Sequence, residues 1–282
     1  MDADNETLKK IWTVELDLLE QFDRFCKTFD LTYYADYGTL LGAVRHRGFI
    51  PWDDDIDVSM MRPDYDRLLS LAESYFKPPY FFQHCYNTPG SLWGLSKLIN
   101  DDTTCIETRE LPPGYHHGIF LDVFVLDYAA ADDAHPSALD RMLDDTWLAV
   151  SNPEYLLHKM KNGYRPEISA DMISGIVAMP LASKLQLLDG MLAQAFDQAK
   201  KVNRFSFDKA TNFDFPSRDI RYFEKTVMLP YENTSISAPS HYHEILSGDY
   251  GDYMTPRQVG NYHAGAFFDP DRPWRSYIGT RI

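Results

Sequence analysis

The sequence predicts an α+β protein, a mixed sheet flanked by helices with a mainly helical part after it. Three observations predict it. Apolar residues recur at steps of three and four over residues 6–29, a nearly unbroken apolar run fills Gly118–Leu126, and residues 132–205 return to helical character.

The first helix places Ile11, Val14, Leu18, Phe22, Phe25 and Phe29 on one face. LTYYADYG, from Leu31 to Gly38, is rich in aromatic residues and closed by glycine, which predicts a strand leaving into a tight turn. Thr39 is placed to cap a short helix ending near Gly48, and an extended chain resumes over Phe49–Met60 after Pro51. Pro63 opens the next helix, which the Pro78-Pro79 pair ends. Two strands are expected between Tyr80 and Thr108. Gly118–Leu126 reads as a strand buried on both faces, with Asp122 in its middle. Residues 206–282 read as irregular. The predicted division is a catalytic core over 1–130, with a helical and irregular region over 131–282 packed on it and completing the substrate site.

At 282 residues and 44% hydrophobic content the chain can bury a sizeable core, which excludes disorder. Its net charge of -15 repels polyanions, so no nucleic-acid partner is expected. No apolar run reaches membrane-spanning length, and the opening residues lack a basic and apolar leader, so the chain reads as cytoplasmic. Cys26, Cys85 and Cys105 are too far apart for a zinc or redox pair and are expected as buried thiols.

In an extended chain alternate residues share a face, so Asp55 and Asp57 point one way while Ile56 and Val58 enter the core. Two carboxylates that close repel unless a cation lies between them, and oxygen ligands favour magnesium or manganese. Asp122, on a buried strand, needs compensation and is expected as the third ligand. Asp53 shares the parity of the pair and Asp54 does not. Gly38 and Thr39 lie where a helix N-terminus can approach a phosphate. Arg45, His46 and Lys97 supply basic groups near it. Six histidines, His84, His116, His117, His241, His243 and His263, have no cysteine at useful spacing; His116 and His117 border the Asp122 strand, and His117 is taken as a substrate contact. Trp52 and Tyr37 are candidates for an aromatic cage around a quaternary ammonium.

YYADYGTLLGAVRHRGFIPWDDDIDVSM, from Tyr33 to Met60, resembles the signature of the LicD/fukutin-related family of nucleotidyltransferase-fold proteins. HGIFLDVFVLD resembles its second block, and Tyr231-Glu232-Asn233 followed by YGDYMTP its third, where Phe-Glu-Gly is more usual; Asn233 tolerates the positive φ that glycine would supply. The resemblance implies a nucleotidyltransferase-like core and a magnesium-dependent phosphotransferase with Asp55, Asp57 and Asp122 as metal-binding and catalytic carboxylates. It implies transfer of a phosphoalcohol, typically phosphocholine from CDP-choline, to a hydroxyl of a cell-surface glycan such as lipopolysaccharide or teichoic acid, or of a lipid-linked precursor at the inner face of the membrane. Related members use CDP-ribitol. Two other readings compete. A sugar-nucleotide glycosyltransferase could use Asp55-Ile56-Asp57 as its D-x-D motif, although little sequence precedes it to bind a nucleotide. A glycan-binding module could use the aromatics, but would not need Asp122 inside an apolar strand.

Overall fold

The computed structural model describes residues 5–107, 112–132, 134–211, 216–257 and 265–278. It is an α+β protein whose chain divides into two units, Met1–Val125 with Tyr222–Ile282, and Leu126–Arg221. The expected boundary near residue 130 lies beside the first crossing. The second crossing, which returns residues 222–282 to the first unit, has no counterpart in that expectation.

The first unit opens with α1 (Asn5–Phe29), β1 (Tyr34–Ala35), α2 (Tyr37–Arg45), β2 (Ile56–Met61) and α3 (Arg62–Tyr75). It continues with β3 (Tyr80–Gln83), β4 (Leu95–Asn100), β5 (Thr104–Ile106) and the start of β6 (Ile119–Ala129). Its sheet runs β1-β2-β6-β4-β3, with β1 antiparallel to β2 and with β6, β4 and β3 antiparallel in turn. β6 is buried at every position, as its apolar sequence requires of a central strand. The strand expected over Leu31–Gly38 is only two residues long. Tyr37 adopts φ +43°, the chain turns early, and Asp36 rather than Thr39 caps α2, accepting a hydrogen bond from the Tyr37 N–H.

Unit 2 begins with the last residues of β6 and holds α4 (Ala138–Ser151), α5 (Pro153–Lys161), α6 (Ala170–Ala178), α7 (Leu181–Phe196), β7 (Lys201–Asn203), α8 (Phe205–Thr211) and β8 (Arg218–Asp219). Asp127–Ala129 pair with β7, which pairs with β8, and α4 packs on α5, α6 and α7. Ser137 and Asp140 cap α4 reciprocally.

Residues 222–257 and 265–278 of the first unit are more regular than expected. β9 (Thr226–Tyr231) and β10 (Thr234–Pro239) form a hairpin, α9 spans Tyr242–Tyr250, and β11 (Phe267–Asp269) pairs with β5. In the two-residue hairpin turn Glu232, not Asn233, takes the positive φ. β10 packs on β1 and β9 on α2, which brings the third sequence block to the first. Among the described residues no helix is long and apolar enough to cross a membrane, and Cys26 and Cys105 are buried free thiols while Cys85 is half-buried.

Candidate active site

The site lies within the first unit and begins on α1. The buried face of this helix runs through Ile11, Leu18, Leu19 and Phe22, and it includes Glu15, which is 1% exposed. Glu15 Oε2 has no hydrogen-bond partner among the described residues. One turn earlier, Trp12 stacks on Phe49 with ring centres 4.9 Å apart and donates from Nε1 to the carbonyl of Asp53 at 2.8 Å. The helix therefore fastens the acidic loop while presenting a carboxyl group to it.

The first turn of α2 is stitched to β2. The Asp36 N–H donates to the Asp57 carbonyl at 3.0 Å, the Asp57 N–H donates to Thr39 Oγ1 at 2.8 Å, and the Ser59 hydroxyl donates to the Asp36 carboxylate. Gly38 is required by space: a Cβ there would sit 2.5 Å from Asp53 Oδ2. The anionic group nearest the positive end of α2 is thus a carboxylate of the chain itself.

β4 and β6 contribute a cross-strand pair. Lys97 and Asp122 face each other in register, with Lys97 Nζ 3.0 Å from Asp122 Oδ1, 3.9 Å from Glu107 Oε1 and 3.1 Å from the centre of the Phe120 ring. Burial alone would lower the Lys97 pKa; the carboxylate of Asp122, with Tyr115 and Glu107, more than reverses this and holds it above its ordinary value. In this structure the ammonium of Lys97 offsets the charge for which the sequence suggests a metal.

Burial, then Asp55, Asp122, Asp53 and Asp36 in that order, push the Asp57 carboxyl well above the usual aspartate range. Burial, followed by Asp55, Asp54, Asp53 and Asp57, does the same to Glu15. Tyr231, at the end of β9 and 0% exposed, has its phenol pushed up by burial and by Glu15, Asp53 and Asp55. These donors are all oxygens, the kind a hard divalent cation takes. Among the described residues, no three His, Cys, Asp or Glu side chains stand preassembled around one point as ligands.

Of the residues expected at the site, Asp55, Asp57, Asp122, Gly38, Thr39 and Lys97 come together here. Four other candidates have partners of their own. Arg45 donates to the Tyr253 carbonyl at 2.8 Å and to His46 Nδ1 at 3.3 Å, and burial followed by the charge of Arg45 lowers the His46 pKa. The His117 ring packs against Tyr115 and Trp274, and Tyr37 meets Phe124 edge to face. His263 lies outside the described residues. Sequence reasoning passed over Glu15, Asp36 and Tyr231. The signal for Glu15 was available, as an acid four residues after Ile11 and three before Leu18 on an apolar helical face.

Residues 30–108 match the LicD/FKTN/FKRP nucleotidyltransferase domain. The chain is 26% identical over 250 residues, covering 88% of this chain and 91% of the relative, to the lipopolysaccharide cholinephosphotransferase LicD of Haemophilus influenzae. It is also 38% identical over 60 residues, 21% of this chain and 23% of the relative, to the uncharacterized protein RP689 of Rickettsia prowazekii.

Proposed function

We propose, from the premise that this chain carries a LicD-type nucleotidyltransferase domain over residues 30–108, that it is a phosphotransferase moving phosphocholine from CDP-choline to a glycan hydroxyl. The acceptor is lipopolysaccharide or its lipid-linked precursor, which fits the likeness over nearly the whole chain to a cholinephosphotransferase that acts on lipopolysaccharide. The observation that carries this reading is the buried Asp57 inside that domain, close to the carboxylates of Asp55, Asp53 and Asp36 and to that of Asp122 beyond it.

Asp55 and Asp57, with Asp122, would hold magnesium or manganese, which when bound withdraws charge from phosphate oxygens. The chain's own residues do the rest. Lys97 balances Asp122, and Gly38 and Thr39 place the N-terminus of α2 beside the acidic loop. The acceptor oxygen forms a bond to the phosphorus next to choline, the bond from that phosphorus to CMP breaks, and the hydroxyl proton passes to a carboxylate.

CMP release from CDP-choline, measured with magnesium and a lipopolysaccharide acceptor, tests the reading. Asp57→Asn should reduce it roughly 100- to 1000-fold and leave the melting temperature of the metal-free protein equal or higher. Turnover at the wild-type rate in that variant removes Asp57 from the site. Use of CDP-ribitol instead changes the alcohol only; release of UDP or GDP from a sugar nucleotide replaces the reading with glycosyl transfer.

A further inference from the structure

The acidic residues Asp53, Asp54 and Asp55 precede β2 and belong to no strand ladder, so something else must fix their place. The loop that carries them is gripped near Gly48 from two sides. On one side is α2: the Gly48 N–H donates to the Gly42 carbonyl at 3.4 Å, and a Cβ on Gly42 would overlap the Gly48 carbonyl. On the other is the turn of the β9–β10 hairpin. The Glu232 N–H donates to the Arg47 carbonyl at 2.8 Å, and the Phe49 N–H donates to Glu232 Oε1 at 3.0 Å. One residue thus engages the backbone on both sides of Gly48. A Cβ on Gly48 would overlap the Glu232 carboxylate, so glycine is what lets that carboxylate reach the amide.

Glu232 also holds φ +50°, in the left-handed region that costs a non-glycine residue energy. Glu232 is solvent-exposed and, among the described residues, makes no ion pair within 4.0 Å, so surface charge pairing does not account for the residue. The next residues in each direction are consistent with a clamp. Phe49, the residue gripped, lies between Trp12 and Tyr231, with ring centres 4.9 and 5.0 Å away, and Tyr231 faces Glu15, Asp53 and Asp55.

We infer that Glu232 is a positioning residue: its grip on Arg47 and Phe49 sets the loop that presents Asp53 and Asp55 to cation and donor phosphate. The role in turnover rests on the phosphotransferase reading; the grip itself does not. Three variants of the full chain, Glu232→Gln, Glu232→Ala and Gly48→Ala, separate the two when followed by hydrogen–deuterium exchange of peptides spanning 47–57 and by the magnesium dependence of CMP release. Glu232→Ala should speed exchange there roughly 10- to 100-fold, the equivalent of one hydrogen bond to a charged acceptor, and raise the magnesium concentration needed for half-maximal release. Glu232→Gln, whose amide oxygen still accepts, should stay near wild type. Gly48→Ala should reproduce Glu232→Ala, and the double variant should be no worse than either. Unchanged exchange over 47–57 in Glu232→Ala, or acceleration spread evenly through the first unit, overturns the inference. If the wild-type chain releases no CMP, the phosphotransferase reading falls and exchange alone decides the clamp.

Discussion

Asp57 in the first unit and Asp145 in the second are both buried, and their surroundings differ in kind. Asp145 accepts from the Tyr164 hydroxyl at 2.6 Å and from the Glu167 N–H at 2.8 Å, and Asp127 in the same unit accepts from the Ser206 N–H and hydroxyl at 3.1 and 2.6 Å. The hydroxyl and N–H donors named here join separate segments. Asp57 is met by Asp55, Asp122, Asp53 and Asp36, and Glu15 by Asp55, Asp54, Asp53 and Asp57. Burial of an acid among donors is a way of holding a fold together; burial among other acids costs stability and is kept where charge is needed for chemistry.

The sharpest test is at Asp122, a buried acid of the first unit paired with a lysine. Lys97→Met should destabilise the chain by about 3 to 5 kcal/mol, because it leaves the Asp122 carboxylate in the core without its ammonium. Adding Asp122→Asn should restore most of that, as urea denaturation of both variants would show. A single variant as stable as wild type would mean that Asp122 behaves like the acids of unit 2.

Asp145→Ala, by contrast, should cost about 2 to 4 kcal/mol by removing the acceptor from two donors. CMP release per folded molecule should be unchanged. Lost turnover in a fully folded sample would break the distinction between the two kinds of acid.

The smallest effect is expected at Glu15. Burial and the neighbouring aspartates raise its pKa above the ordinary 4.5, so the folded chain holds this proton more tightly than the unfolded chain. The stability so gained is complete below the unfolded value and is lost as pH rises through the raised one. Glu15→Gln should therefore match wild type in acid and exceed it by on the order of 1 kcal/mol above pH 7 without metal. Melting curves from pH 4 to 8 check this, and a wild-type advantage that grows with pH would reverse the sign of the argument.

Much of this site was legible in the sequence, because the features that mark it are local. Asp55, Asp57, Gly38 and Thr39 lie within 20 residues of one another, and the apolar run around Asp122 announces a buried carboxylate without reference to anything distant. The pairing of Lys97 with Asp122 depends on the register between β4 and β6, which neither strand encodes alone. Strand parity set Asp54 aside, yet Asp54 is buried and acts on Glu15, since alternation holds only within a ladder and β2 starts at Ile56. The hairpin escaped notice because Pro230 interrupts the donor pattern expected of a strand. The cap of α2 moved from Thr39 to Asp36 through a left-handed Tyr37, a conformation that an aromatic residue rarely signals.

The return of residues 222–282 to the first unit also has a meaning in time. Tyr231 and Glu232 leave the ribosome about 170 residues after Asp57, with the whole of unit 2 made in between. At roughly 5 to 20 residues per second, the acidic loop waits on the order of ten seconds or more for the hairpin that closes on it. Until residues 226–239 are made the nascent chain carries its first block, and from residue 127 its second, without the third, so the grip of the hairpin on the acidic loop follows the making of unit 2.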